Sequence, residues 1–382
     1  MSLKKILIIL IILLIIVIGA FVAYNFLIKE PTPPTQEPGS SGQIPTSGSA
    51  SDQTDDPSYQ RRLSAISEEP VMSPFTDGRK VKYYSVSNGN VFESSLDGSG
   101  LNRISSVALT DLIKVIWSAN GNKVVAIFDE NGQAKKYLYD YNTKISTALN
   151  DNIKWLAWSP QENRYAYQYY NPVTEDNSIS IAQADNLEWT NIFQTRMKDL
   201  IIEWPSSGKV SIRTKPSGLA QSVVYTIDLA TSDFQKIIAE TYGLTLLWSP
   251  LGDKILYSET TDRGKNLKLK IADLETSAVS ELDLVTLPEK CVWSQDNRTV
   301  FCAVPKSIPV AATLPDDYYK RAISFSDDFW RINIDTGEAI KIYETQGTEA
   351  NAYNAKDLLL PPLEDYLLFI NQKNGLLYNL RL

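Results

Sequence analysis

The sequence predicts an all-β protein: a seven-bladed β-propeller closed by an N-terminal strand, preceded by one transmembrane helix and a disordered linker. Three observations carry that expectation. A tryptophan-centred phrase recurs, clearest in Leu247-Trp248-Ser249-Pro250-Leu251-Gly252-Asp253 and centred again on Trp117, Trp158, Trp204 and Trp293. Its interval of 41 to 46 residues leaves room for several strands per unit, the mark of propeller architecture. The last unit is also one strand short, and a segment ahead of the first unit reads as the missing strand.

Taken in chain order, residues 1–5 form a short cytoplasmic start. Residues 6–28 are apolar apart from Asn25 and, at about 1.5 Å per residue, span roughly 34 Å, enough for a single-pass helix. Lys4 and Lys5 precede this segment, whereas Lys29 is offset by Glu30. The positive-inside rule therefore puts the N-terminus in the cytoplasm and the rest outside the cell membrane. A cleaved signal peptide is the competing reading. The stretch is long for one, and Phe21 stands where a cut after Ala23 needs a small residue. Residues 29–59 are rich in Pro, Ser, Thr, Gly and acids, with little to bury, and read as a disordered tether.

Residues 60–382 hold the repeats. Two degenerate copies, Val71-Met72-Ser73-Pro74 and Leu359-Leu360-Pro361-Pro362, bring the units to seven. The fifth unit shows the expected four strands a to d: Leu244 to Trp248, Ile255 to Glu259, Leu267 to Ala272 and Val279 to Leu282. In the third of these, Leu267, Leu269 and Ile271 face one way while Lys268 and Lys270 face the other. The Ser-Pro-x-Gly-Asp stretch is turn chemistry, with proline presetting φ and glycine supplying positive φ. One large flat side chain at a fixed point per unit suits wedging adjacent sheets together, which makes the five tryptophans packing residues.

The seventh unit offers strands at Asp357 to Leu360, Tyr366 to Ile370 and Leu376 to Leu380, and then ends. Arg61-Arg62-Leu63-Ser64-Ala65-Ile66 matches the fourth strand of the first unit, Leu101-Asn102-Arg103-Ile104-Ser105-Ser106. The expectation is that it adds to the last sheet and closes the ring, removing edges that would otherwise aggregate.

The Trp-Ser-Pro-x-Gly phrase followed by two strands resembles the WD-repeat-like units of the TolB family and of prolyl-oligopeptidase propellers, over about residues 61–382. The resemblance implies the propeller fold and little about activity, since such repeats serve scaffolds, binders and enzyme lids. The α/β domain of TolB-type proteins and the hydrolase domain of the oligopeptidases have no counterpart here, so neither partner nor peptidase activity carries over.

Composition narrows the chemistry. The net charge is −8, which argues against a nucleic-acid surface. There is no histidine, which removes histidine triads and histidine-ligated zinc. No cofactor or metal is expected. The sixth unit is the exception to the spacing, with 67 residues from Trp293 to Leu360. Its excess falls between the second and third strands, where Asp316, Asp317, Tyr318, Tyr319, Lys320 and Arg321 make a candidate binding surface, since aromatics and arginine dominate hot spots. The alternative is that Asp316 or Asp317 caps one helical turn and the tyrosines pin the loop to the ring. Asp316, Asp317, Asp327 and Asp328 have ligand chemistry for calcium but no EF-hand spacing.

Cys291 and Cys302 flank the turn of the sixth unit. If Trp293 pairs with Val300, the cysteines lie directly opposite each other. They could oxidise outside the cytoplasm, yet cross-strand neighbours are often too close for a relaxed bond. Two functions remain. The leading expectation is a non-catalytic module or scaffold for a protein, peptide or glycan of the cell envelope. The alternative is a carboxylate-dependent hydrolase or lyase acting on polysaccharide or peptide at the central channel, where Glu68, Glu69, Asp111, Asp151 and Asp199 supply acids.

Overall fold

The repeat tryptophans fasten each unit to the one before it. Trp117 Nε1 donates to the Ser73 carbonyl at 2.8 Å, Trp158 to Ile116 at 3.0 Å and Trp293 to Leu247 at 3.4 Å. Trp158, Trp204 and Trp293 are buried. Trp117, Trp158 and Trp293 thus pack between sheets while the one polar atom reaches back to the preceding backbone, whereas the indole nitrogens of Trp204 and Trp248 are buried without a partner. The five-residue turn that follows is equally specific. Gly252 sits at φ 71°, and a Cβ there would meet the Pro205 carbonyl oxygen of the previous unit at 2.9 Å.

The computed structural model describes residues 62–382 apart from 106, 162, 186–187 and 347–351. The expected membrane segment at 6–28 and linker at 29–59 lie outside the described residues. Among the described residues no helix is long and apolar enough to cross a membrane. The architecture is all-β. In each repeat the strands pair antiparallel in chain order, and the sheets of the fourth and fifth repeats are joined by the single pair Tyr242↔Thr260. The fifth repeat runs through Leu246–Trp248, Lys254–Thr261, Lys265–Asp273 and Val279–Leu282. The third of these keeps the expected alternation, with Leu267, Leu269 and Ile271 buried.

The first strands of neighbouring repeats touch one another, among them Val71–Thr76 against Ala355–Leu359 of the last repeat, and so form an inner wall. The core is divided between repeats. One cluster joins Leu256, Leu269 and Ile271 of the fifth repeat to Val300, Cys302 and Ile332 of the sixth. Each such aliphatic side chain removed from water contributes about 1.5–3 kcal/mol. Cys291 pairs with Cys302 across the strands of this cluster, as Trp293 does with Val300, and the two sulfurs are bonded.

The N-terminal strand Leu63–Ala65 pairs antiparallel with Leu377–Arg381, matching Leu63 to Leu380 and Ala65 to Tyr378. Ser64 Oγ donates to Asn379 Oδ1 at 2.7 Å, and Asn379 Nδ2 reaches the Leu96 carbonyl of the first repeat. Ile66 then enters a cluster holding Val81 and Leu96 of the first repeat with Leu368 and Leu377 of the last. The two ends of the repeat array are thus joined in backbone, side chain and core.

Candidate active site

Because the strands of a repeat alternate in direction, the connection between its second and third strands and the link to the next repeat emerge at the same end. Residues 306–326 lie there, between Thr299–Pro305 and Asp327–Asn333 of the sixth repeat. They form a fixed strap across two neighbouring repeats. Lys265 Nζ donates to the carbonyls of Ala311 and Ala312 at 2.7 Å each, and Leu314 N–H donates to Gly264. The Asp316 carboxylate reaches the fourth repeat, accepting from Gly218 N–H at 2.6 Å and Ser217 Oγ at 2.9 Å. Gly218 has to be glycine, because a Cβ would stand 2.4 Å from the Leu314 carbonyl oxygen and 2.5 Å from Gly264 Cα. Under the strap, Leu267, Leu287, Ala312, Leu314, Tyr318 and Phe325 make a small core of their own.

The sequence-selected residues divide accordingly. Asp316 and Asp317 flank one helical turn, Asp316–Tyr319, and Asp317 accepts from Thr313 N–H at 2.7 Å. Tyr318 is buried and stacks on Phe325. Lys320 and Arg321 are exposed. Asp328 is paired with Lys341 at 3.0 Å and Asp327 with Lys290 at 2.8 Å, so these acids are engaged with lysines. Of the other acids, Glu69 accepts from Ser87 and Asp151 from Lys135. Tyr318 covers the buried Lys290, while Tyr319 reaches a second grouping of titratable side chains.

Tyr319 hydroxyl donates to Glu289 Oε1 in the link that enters the sixth repeat. Close by, Arg213 ends the strand Lys209–Arg213 and donates through Nε to Glu203 Oε2 at 3.1 Å, Glu203 lying on the inner strand Ile201–Ser206. Burial works against the Arg213 charge, but Glu203 first, then Glu289 and Tyr319, hold the guanidinium above its ordinary value. Although 46% of Tyr319 is exposed, desolvation at its hydroxyl end, the Glu289 charge and their hydrogen bond push the phenol upward. Two atoms of the group, Arg213 Nη1 and Glu289 Oε2, are buried with no hydrogen-bond partner. Every such orphaned side-chain atom among the described residues falls between Trp204 and Asp327, on the repeats that carry the strap. Buried polar atoms are normally satisfied, so two charged exceptions within one grouping, Arg213 Nη1 and Glu289 Oε2, call for an explanation.

Glu203 also borders a cavity of about 440 Å³ along the inner wall, with Lys114 and Trp155 on the first strands of the second and third repeats. Trp155 is 37% exposed and does not occupy the repeat position that packs sheets. Glu203 is thus shared: it borders this cavity with Lys114 and Trp155, and through Arg213 it joins the grouping that holds Glu289 and Tyr319. Sequence reasoning selected Tyr319 and missed Glu203, Arg213 and Glu289.

No family model and no curated protein matches the chain, but many solved structures share its fold. An oligogalacturonate lyase in complex with manganese aligns at TM-score 0.60 and 12% identity, covering 84% of this chain and 93% of that one. The oligogalacturonate lyase of Vibrio parahaemolyticus aligns at 0.58 and 14%, covering 83% and 92%. The propeller domain of the Trilobed protease from Pyrococcus furiosus, described as having an open velcro topology, aligns at 0.54 and 12%, covering 81% and 92%. The chain is a β-propeller. Its pairing of Leu63–Ala65 with Leu377–Arg381 contrasts with the open topology of the Pyrococcus domain.

These comparisons overturn the expectation of a non-catalytic binding or scaffold module. Propellers matched over nearly their whole length are enzymes in their own right, with no added hydrolase domain. The physical reason lies in placement: loop acids were the candidates in sequence, whereas Glu203, Arg213, Glu289 and Tyr319 come together from an inner strand, a strand end, a link and the strap. This chain has no histidine, and among its described residues no group of three or more Cys, Asp or Glu could hold a metal ion.

Proposed function

We propose that the chain is a polysaccharide lyase acting on uronate-containing glycans outside the membrane, carried on a seven-bladed ring that residues 6–28 anchor. The observation that carries this reading is the orphaned pair Arg213 Nη1 and Glu289 Oε2 beside a protonated Tyr319. Fold likeness to two oligogalacturonate lyases supports it. The seven repeats, contact between first and last inner strands, and the N-terminal strand support the closed ring.

The chemistry is a β-elimination and needs no water. Arg213 Nη1 binds the uronate carboxylate and so acidifies the neighbouring C5–H. Glu289 takes the C5 proton, the electron pair forms the C4=C5 double bond, and the C4–O bond breaks. Tyr319 gives its phenolic proton to the departing oxygen and recovers one from Glu289 across their hydrogen bond. Glu203 holds the guanidinium in place through Nε, while Trp155 and Lys114 line the path of the chain along the inner wall.

Incubating the full-length protein with polygalacturonate should produce short-wavelength ultraviolet absorbance from the conjugated unsaturated uronate. Tyr319→Phe should lower kcat about 100- to 1000-fold with little change in KM, and Arg213→Ala should lower kcat/KM by at least as much. New reducing ends without absorbance would instead mean hydrolysis. Absence of both products would remove the enzymatic reading.

A further inference from the structure

Five of the eight tryptophans sit at the repeat position, and Trp155 lines the inner wall; Trp189 does neither. It opens the outermost strand of the third repeat, Trp189–Gln194, and is 64% exposed. An indole left that open forgoes the burial that fixes its five counterparts. It stands between two cavities, of about 350 and 450 Å³, and lines both.

We propose that the larger of these cavities is a second sugar-binding site, taking a segment of neutral oligosaccharide and separate from the catalytic mouth. Its floor is Tyr167, Ser178 and Ser180, all buried; its walls are Tyr169, Trp189 and Asn191. Aromatic faces match the C–H faces of pyranose rings, and amides and hydroxyls match their hydroxyl groups, a mostly apolar lining with a few placed polar groups. The Ser178 and Ser180 hydroxyls share one hydrogen bond at 3.3 Å, and Asn152 Nδ2 donates to Tyr169 hydroxyl at 3.3 Å, so each oxygen keeps further capacity. The lining includes no lysine or arginine, and Asp176 is its one charged side chain. A uronate chain, which suits Arg213 and Lys114 at the mouth, is therefore repelled here rather than bound.

The proposal stands apart from the lyase reading. Isothermal titration of the full-length protein, held in a sugar-free detergent, with cellohexaose, maltohexaose and mannohexaose is the test. At least one neutral hexasaccharide should bind. Trp189→Ala should weaken it about ten-fold and Asn191→Ala by less, both with an unchanged melting temperature and unchanged turnover of polygalacturonate. Failure of all three sugars to bind, binding that is indifferent to Trp189 and Asn191, or binding there of trigalacturonate in preference to them would each overturn it. A loss of turnover in both variants would merge this site with the mouth and overturn its separateness.

Discussion

Glu289 and Lys290 are neighbours in the chain and belong to ionic groupings of opposite kinds. Lys290 is fully buried, and all three of its ammonium protons are engaged: by Asp327 at 2.8 Å, Asn354 at 3.0 Å and the Ala355 carbonyl at 2.8 Å. Tyr318 and Phe325 of the strap cover it, each ring within 5.5 Å. Asp327 adds an Ala355 N–H at 2.7 Å and leaves one oxygen over. Burial lowers the Lys290 pKa and raises that of Asp327, each countered in part by the other's charge. At the mouth, one residue earlier, Glu289 and Arg213 each keep a buried polar atom unengaged. Each grouping keeps a carboxylate oxygen unengaged, so the difference lies in the cation: the Lys290 ammonium has a partner for every proton, whereas the Arg213 guanidinium keeps Nη1 over. A saturated cation serves the fold as a clamp, and we read the unsaturated one as the ligand-binding group.

The comparison predicts separate losses, the largest at the clamp. Lys290→Met leaves Asp327 uncompensated and should lower stability by about 3–5 kcal/mol in chemical denaturation. Combining it with Asp327→Leu should recover most of that loss, since no buried charge then remains. A single variant as stable as wild type would mean that the pair does not hold the strap. Tyr319→Phe, by contrast, should leave denaturation nearly unchanged while turnover falls.

Asp316→Ala lies between these extremes. It removes the two hydrogen bonds that tie the strap to the fourth repeat, charge-assisted contacts that together contribute about 1.5–3 kcal/mol. Because Tyr319 sits at the end of the same helical turn, turnover should fall about ten-fold as well, through looser positioning of the phenol. Turnover unchanged in a measurably destabilised variant would detach the strap from catalysis.

The repeats were legible in sequence because each is specified locally. Trp248, Pro250 and Gly252 recur within a few residues of one another, and strand alternation makes Cys291 and Cys302 partners once one pair in the hairpin is known. The closing strand was legible by subtraction, as a missing fourth element. Its paired core proved shorter than the matching segment, Leu63–Ala65 against 61–66, and its counterpart in the first repeat shrank to Asn102–Arg103. The mouth was not legible. Glu203 and Arg213 are diagonal neighbours across one hairpin, Glu203 standing opposite Ser211, but their link to Glu289 and Tyr319 depends on a strap folding back over two repeats. Pattern says nothing about that reach; Gly218 and Gly264 permit it, and in sequence both look like ordinary turn glycines.

The smallest effect concerns tyrosines, which extend the same contrast to alkaline pH. Tyr257 is buried in the fifth repeat, and burial, followed by the charge of Glu259, pushes its phenol up to about 12. An unfolded tyrosine ionises near 10, so between these values the unfolded chain sheds a proton that the folded one keeps. The stabilisation is complete below pH 10 and drains away as pH rises toward 12, by about 1.4 kcal/mol at pH 11 for this one group. Tyr257→Phe cannot ionise in either state. Its stability relative to wild type should therefore improve by about that amount between pH 8 and pH 11, measured by urea titration at both. Tyr319→Phe should lose turnover, a cost that Tyr257→Phe does not share. Equal turnover losses in the two would erase the distinction between wall and mouth.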